Sequence, residues 1–486
     1  MLSTAITSHP SVAMAGAPSS ILIVGSGVFG LGTAWALTKR PYYSNTTITI
    51  VEEYAGQFPP EDGASVDSSR IVRADYSDPY YAALAAEAQK EWRKQGDDDV
   101  GGQGRYSESG FVLCASETPK DFKMKKSGMD YTKESAKNVE SIAKKTGLPM
   151  DKIQKLESTK ALQEFLGTKG YPGDWGYLNG NSGWADAGEG MKWLYKQANA
   201  TGRIQFVNGK VTELVTEGDR VVGAKLSDSN ILKADVVMVA AGAWSGSLVD
   251  LRGRTEATGH AVVYMDITPE EQKRLDNFPV VLNLSTGLFL IPPRNNVLKV
   301  ARHTFGYINP VKIDNALPPS PNDKRESFIA SQPYTSRNAA ANPLSVEADQ
   351  DLRRALKDLC PVQGLENRPW KEARICWYSD TRDGEWLIDY HPGWKGLFVA
   401  TGDSGHGYKF LPNLGEKIVD VMQGHGGKLG EKWQWREMKN DGVGRETNGV
   451  YQGLMTEDGS RGGRPLILCD ELAKGRAPVG EGKSKL

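Results

Sequence analysis

The chain has 486 residues, with 59 Lys and Arg against 60 Asp and Glu and a formal charge of -1 at pH 7. That balance excludes the positive field that draws proteins to nucleic acid or anionic membranes, and no run of 18 apolar residues offers a transmembrane helix. Four cysteines, Cys114, Cys360, Cys376 and Cys469, are too few and too scattered for a disulfide framework or a metal site, so a reducing compartment is the default.

Residues 1–18 have no basic n-region and only a short, mixed apolar part, and read as a flexible leader. The run Ser20 to Val24 is apolar and β-branched enough for a buried parallel strand. It leads into Gly25-Ser26-Gly27-Val28-Phe29-Gly30, a G-x-G-x-x-G turn that opens a helix. In such a turn Gly25 permits the tight bend, Gly27 the approach of a pyrophosphate and Gly30 close helix packing, while the helix N-terminus faces the phosphates. The next strand, Thr47 to Val51, ends at Glu52, where a carboxylate can accept both ribose hydroxyls and would repel a 2′-phosphate. Together these define a dinucleotide-binding βαβ unit and leave NAD and FAD both open.

Beyond it, residues 55–69 form a Gly, Pro, Asp and Ser loop, followed by SSRIVRADY from Ser68 to Tyr76. A helix is predicted over 79–98, a strand over Ser107 to Ala115, and a charged, helix-forming region over 119–170 whose lysines form a solvated face. A helix opens near Ala185, then strands follow at Gln205 to Phe206, Lys210 to Glu217, Arg220 to Leu226 and Ala234 to Ala241, the last running into Gly242. Further strands are expected at Phe278 to Asn283, Leu288 to Pro292 and Leu298 to Arg302, and Asn315 to Pro343 reads as a long surface excursion. The strand Gly396 to Thr401 runs into a loop carrying Gly405 and Gly407, and beyond about residue 425 the composition reads as a loosely packed tail. Strand-to-glycine junctions at residues 25, 242 and 402 predict a discontinuous cofactor domain (19–90, 186–252 and 372–435). Residues 91–185 and 253–371 would form a substrate domain, and 436–486 a C-terminal tail. The expected class is α/β and α+β, a Rossmann-like domain with an inserted mixed sheet.

Seven motifs in order carry a resemblance: GSGVFG, SSRIVRADY, NSGWADAG, VVMVAAGAWS, LKVARHTFG, RICWYSDTRDGEWLIDYHP and GDSGHGYKF. Over about residues 20–435 the chain resembles the monomeric sarcosine oxidase family of flavoproteins, which includes pipecolate, saccharopine and fructosyl amino-acid oxidases. The resemblance implies FAD, attached by an 8α-S-cysteinyl thioether to Cys376, a role that suits a thiolate. It places Lys299 near the flavin N5, where a cation stabilises the superoxide formed from O2. It makes Arg73 and Lys409 the grip on a substrate carboxylate, Lys409 also bordering the cofactor. Arg70 falls at the flavin edge, Tyr378 and His406 in the same pocket, His303 near the substrate, and Phe289 where sarcosine oxidases have Tyr. On residues alone, Cys376 reads as a buried apolar side chain, Lys299 as an edge-strand lysine, and Arg73 and Lys409 as ordinary salt-bridge partners.

The implied reaction is FAD-dependent oxidation of a secondary-amine amino acid, such as pipecolate, saccharopine or an N-methyl amino acid, to an imine, with O2 reduced to hydrogen peroxide. Fructosyl amino-acid oxidases generally carry Lys at the position of Arg70 and an acid at that of Ile291, and this chain has neither. Phe289 points to a substrate larger than sarcosine. Open alternatives are a secondary-metabolism oxidase whose iminium product cyclises, a fructosyl amino-acid oxidase, an NAD-dependent dehydrogenase and a catalytically silent flavoprotein. The chain ends in Ser484-Lys485-Leu486, the tripeptide read by the peroxisomal import receptor, with the cytoplasm as second choice. A monomer with no metal, nucleic-acid or membrane partner is expected.

Overall fold

The computed structural model describes residues 16–54, 58–121, 123–335, 342–437, 439, 441–447 and 449–480. Most of the expected leader and the C-terminal Ser484-Lys485-Leu486 lie outside the described residues. Five parallel strands form the first sheet in the spatial order Leu397–Thr401, Val236–Val239, Ser20–Val24, Thr47–Glu52 and Ile204–Asn208, with antiparallel Leu387–Tyr390 on one edge. Central Ser20–Val24 has layers on both faces, which is why its sequence is continuously apolar rather than alternating. The glycine junctions at 25, 242 and 402 therefore close the C-terminal ends of three adjacent parallel strands, where open α/β sheets bind their ligands.

A second, ten-stranded sheet is organised around the long strand Glu256–Asp266. It pairs antiparallel with Val297–Arg302 on one side and with the whole of Glu372–Asp380 on the other. Glu372–Asp380 thus lies in the second sheet, although the sequence groups it with the cofactor segments. Antiparallel register fixes which side chains share a face. Ile291 stands beside Lys299 and Lys299 beside Tyr264, while Phe289 stands beside Ala301 and His260 beside Cys376. With period two along each strand, Phe289, Ile291, Lys299, Tyr264, Cys376 and Tyr378 point to the same side.

Three expectations change. The helix predicted over 79–98 is Pro79–Trp92, started by Asp78 accepting from the Tyr80 and Tyr81 amides and ended before the Gly- and Asp-rich turns at 96–105. The region 119–170 contains two capped helices, Gly128–Thr146 and Thr159–Leu166, separated by a strand at Ile153–Leu156. The excursion at 315–343 contains a strand, Phe328–Ser331, paired with Pro310–Ile313.

The largest correction is at the C-terminus, where the expected loose tail is packed against the second sheet. Leu466–Ile467 pairs with Tyr307–Ile308, and Leu454, Thr456, Ser460, Arg461 and Leu468 are buried. Composition misleads here because polar side chains with buried partners carry much of that packing. Among the described residues, no helix is long and apolar enough to cross a membrane, and no group of three or more acidic, His or Cys side chains could hold a metal ion.

Candidate active site

A cavity of about 310 Å³ runs along the C-terminal ends of the parallel strands, from Glu52 past Gly25, Gly27 and Gly242 to Arg70, Tyr378 and Gly405. The fingerprint glycines divide the work as the sequence implies. Gly25 has φ 104°, and a Cβ there would stand 2.5 Å from the Ala240 carbonyl oxygen. A Cβ on Gly30 would stand 2.0 Å from the Gly25 oxygen, so the helix Val28–Lys39 could not pack as it does. A Cβ on Gly27 would meet only Ser65 Oγ, at 3.4 Å, leaving the cavity beside it open. Glu52 Oε2 accepts from Ser26 N (2.7 Å) and Ser26 Oγ (3.0 Å), which fixes the carboxylate at the cavity wall. Val28 and Phe29 also line the cavity. Glu52, the glycine turn and the helix N-terminus suit the adenosine and pyrophosphate of a dinucleotide, and the wider end beyond Gly242 is left for its second ring system.

Against that wider end stands the shared face of the second sheet. Lys299 is 3% exposed; its Nζ donates to the Ser69 carbonyl (2.7 Å) and pairs with Asp67 (2.9 Å). Burial lowers the Lys299 pKa to about 8, opposed by the Asp67 charge. Burial pushes Asp67 up, but Lys299, Arg70 and Arg374 outweigh it and hold the carboxyl below its ordinary value. Asp67 also pairs with Arg70 and accepts from Tyr264 OH (2.7 Å). Arg70 Nη2 in turn donates to Cys376 Sγ at 3.1 Å, giving the sulfur the positive neighbour that a thiolate nucleophile uses. Cys376 itself is buried with Phe289, Ile291 and Tyr378, one contact behind the cavity wall that Arg70 and Tyr378 form. The sequence offers no reason to single out Asp67 beyond its place three residues before Arg70.

A second cavity, of about 320 Å³, is lined by Arg73, Tyr76, Tyr131, His303, His406 and Arg461 among others. It backs onto the same two segments as the first. Arg70 faces one cavity and Arg73 the other; Gly405 and Gly407 border the first and His406 the second. Arg73 is 5% exposed, its guanidinium lies 4.8 Å from the centre of the Tyr76 ring, and its Nη1 has no hydrogen-bond partner among the described residues. A buried, unpaired guanidinium N–H is costly unless an acceptor arrives. Lys409 sits behind the wall and does not border this cavity; its Nζ donates to Tyr76 OH (2.9 Å) and the His406 carbonyl (2.8 Å). Tyr76 OH then lies 3.0 Å from His406 Nδ1, and His406 Nε2 lies 3.0 Å from the Gly384 carbonyl. A carbonyl can only accept, so Nε2 carries the proton and Nδ1 receives the Tyr76 hydroxyl. Burial, followed by the Lys409 charge, holds His406 well below its usual pKa and keeps it neutral.

Arg461 is a second residue that the sequence does not single out. Its side chain is 1% exposed, its Nη2 donates to Asp380 (2.7 Å) and the Ser404 carbonyl (2.6 Å), and its Nη1 meets His303 Nε2. Burial and then the Arg461 charge lower the His303 pKa well below normal. The only signal in the sequence is an arginine among glycines, DGSRGGR.

The parallel sheet, its glycine cradle and the adjoining cavity of charged side chains suit an oxidoreductase built around a flavin dinucleotide. Residues 20–421 match the family described as FAD dependent oxidoreductase, and the chain belongs to that family. FAD is its cofactor, and the fold is the expected α/β and α+β arrangement. The chain is 32% identical over 475 residues to the amino acid oxidase imqH of Aspergillus flavus, covering 87% of this chain and 97% of that protein. It is 28% identical over 432 residues to the L-saccharopine oxidase of Schizosaccharomyces pombe, covering 86% and 93%. Among solved structures it is similar to the fructosamine oxidase Amadoriase II of Aspergillus fumigatus, with a TM-score of 0.70 at 26% identity, covering 93% of this chain and 96% of that one.

Proposed function

We propose that the protein is an FAD-dependent amine oxidase of an N-substituted α-amino acid larger than sarcosine, such as pipecolate, saccharopine or an N-methyl amino acid. The products are an imine or iminium, which water hydrolyses, and hydrogen peroxide. The observation that carries this reading is Arg73, a buried guanidinium whose Nη1 has no partner among the described residues, in a cavity that shares two chain segments with the FAD cavity. Bound in the first cavity, FAD supplies the two-electron acceptor for the C–N oxidation and the route to O2.

The protein's own groups do the rest. Arg73 binds the substrate carboxylate and so sets the distance and orientation of the amine-bearing carbon. The chain from Lys409 through Tyr76 to His406 fixes the cavity wall and leaves His406 without a free lone pair, so His406 is not a base for the amine. Binding therefore selects the neutral amine, aided by the positive charge of Arg73. Lys299, anchored by Asp67, supplies the cation that favours electron transfer to O2. Ile291, buried and apolar, speaks against a site for a sugar. The test is a panel of amines assayed for peroxide. Pipecolate or an N-methyl amino acid should be the better substrate, and faster turnover of sarcosine than of every larger member overturns the size assignment.

Cys376 is proposed to hold FAD through a thioether to its 8α-methyl carbon, supported by the Arg70 guanidinium at its sulfur. Cys376→Ser should release flavin into the supernatant after acid precipitation while the parent retains it; a variant whose flavin stays with the pellet removes the assignment. The tripeptide Ser484-Lys485-Leu486 supports recognition by the peroxisomal import receptor, which suits a peroxide-forming enzyme, and a monomer is the proposed state. Redirection of a tagged protein on deleting the tripeptide is the corresponding test.

A further inference from the structure

The charges around the substrate cavity do not all have partners. Four carboxylates line it, those of Asp78, Asp383, Glu385 and Asp458, together with the cations Arg73, Lys126 and Arg461. Ion pairs account for most of them. Asp78 lies 3.0 Å from Lys432, Asp383 2.8 Å from Arg436, Lys126 2.5 Å from Glu134 and Arg461 2.7 Å from Asp380. What is left is Arg73 on the positive side and two carboxylate oxygens on the negative. Asp458 engages only Oδ1, which accepts from Ser460 N (2.9 Å) and Oγ (2.6 Å); its Oδ2 takes no hydrogen bond among the described residues. Glu385 Oε1 accepts from Lys432 (2.6 Å), whereas its Oε2 is buried with no partner among the described residues. The buried Glu385 acceptor is costly without a donor, and Asp458 Oδ2 becomes so once a ligand displaces water from it, so a ligand that brings a donor gains more than one that brings apolar atoms.

We propose that the substrate carries, besides the carboxylate taken by Arg73, a distal hydrogen-bond donor, a hydroxyl or an ammonium, that Asp458 and Glu385 receive. The inference rests on the amine-oxidase reading only in assigning this cavity to the substrate. A second distal carboxylate placed there would face Asp458 and Glu385 and be repelled. An aliphatic end, as in pipecolate, would leave both oxygens without a donor, so the inference narrows the proposed substrates to members that carry a distal donor.

The holoenzyme can be tested with acids that lack an oxidisable secondary amine, their binding read from perturbation of the visible flavin spectrum. The probes are 4-aminobutanoate and 6-aminohexanoate, the matching hydroxy acids, butanoate, hexanoate and adipate. Measurements at about pH 8 lie above the value of about 7 to which burial pushes Glu385, so its carboxylate is ionised. For at least one chain length the amino or hydroxy acid should bind about tenfold or more tightly than the unsubstituted acid, with adipate weakest. A greater gain for the amino acids assigns a charged donor, and equal gains a neutral one. Asp458→Asn and Glu385→Gln should each compress the ratio of donor acid to unsubstituted acid toward unity, with Glu385→Gln deciding if the Asp458 variant fails to fold. Unsubstituted acids binding as tightly as all their donor-bearing partners overturn the proposal, as does an unchanged ratio in both variants. Failure of the amine-oxidase reading would show separately, as absence of peroxide from the amine panel, and leaves this binding series to stand or fall by itself.

Discussion

The FAD cavity and the substrate cavity lie back to back on segments 70–73 and 405–407, yet they are built from different material. The first is shaped by backbone at its dinucleotide end, with glycines at strand ends, a helix N-terminus and Glu52. The second is rich in charged side chains drawn from distant segments, Arg73 near one end of the chain and Arg461 near the other. Backbone cradles are set by the fold itself, so they accept a common cofactor and tolerate little change. Side-chain charges can be exchanged without disturbing the sheet, provided each buried charge keeps a partner. On the proposed function, cofactor identity resides in the first cavity and substrate choice in the second.

Lys299 and Arg73 offer the sharpest means of separating the two, because the proposed function gives each a different half-reaction. Lys299→Met should slow reoxidation by O2 about 10²–10³-fold, the usual scale for losing one preorganised charge, with a much smaller effect on anaerobic reduction by substrate. Stopped-flow measurement of both half-reactions decides it, and equal losses in both would place Lys299 in substrate binding instead. Its pKa, lowered to about 8 by burial, adds a sign. The ammonium is present below that pH and lost above it, so the O2 reaction should slow as pH rises through about 8. Arg73→Ala should come next, lowering kcat/KM about 10²-fold, mainly through KM, because a buried charged hydrogen bond to the carboxylate is lost. Normal flavin content would show that the first cavity is untouched, and an unchanged KM would dissolve the distinction between the cavities.

The same contrast explains what was legible in the sequence. Ser20–Val24, Thr47–Glu52 and Leu397–Thr401 announce themselves because an apolar strand followed by a glycine turn is a local pattern. Residues 299, 376 and 378 could be placed only through family motifs, since their common face depends on register among separate strands. Asp67 and Arg461 escaped both routes. Each is a single charge in a Gly- and Ser-rich stretch that looks solvated, and its meaning lies in distant partners, Asp380 being 81 residues from Arg461. Lys409 shows the converse: a motif brings it to the site, and the structure places it behind Tyr76 and His406 rather than at the cavity surface.

Arg461 offers the smallest and most discriminating test, because a structural role and a positioning role predict different results. Arg461→Gln alone leaves the buried Asp380 uncompensated and should cost stability strongly, whatever Arg461 does for the reaction. Arg461→Gln combined with Asp380→Asn removes both charges and should restore much of that loss, so the double variant is the one to assay. In it, His303 loses one of the cations that depress its pKa, although burial, the larger cause, remains. Its pKa should therefore rise, and if a neutral His303 is needed beside the substrate, the acid limb of kcat/KM should move to higher pH with only a severalfold change at the optimum. A lowered melting temperature with an unmoved acid limb would make Arg461 a packing element alone. A shifted limb in a stable double variant would establish that the C-terminal segment tunes the substrate cavity from a distance the FAD cavity does not feel.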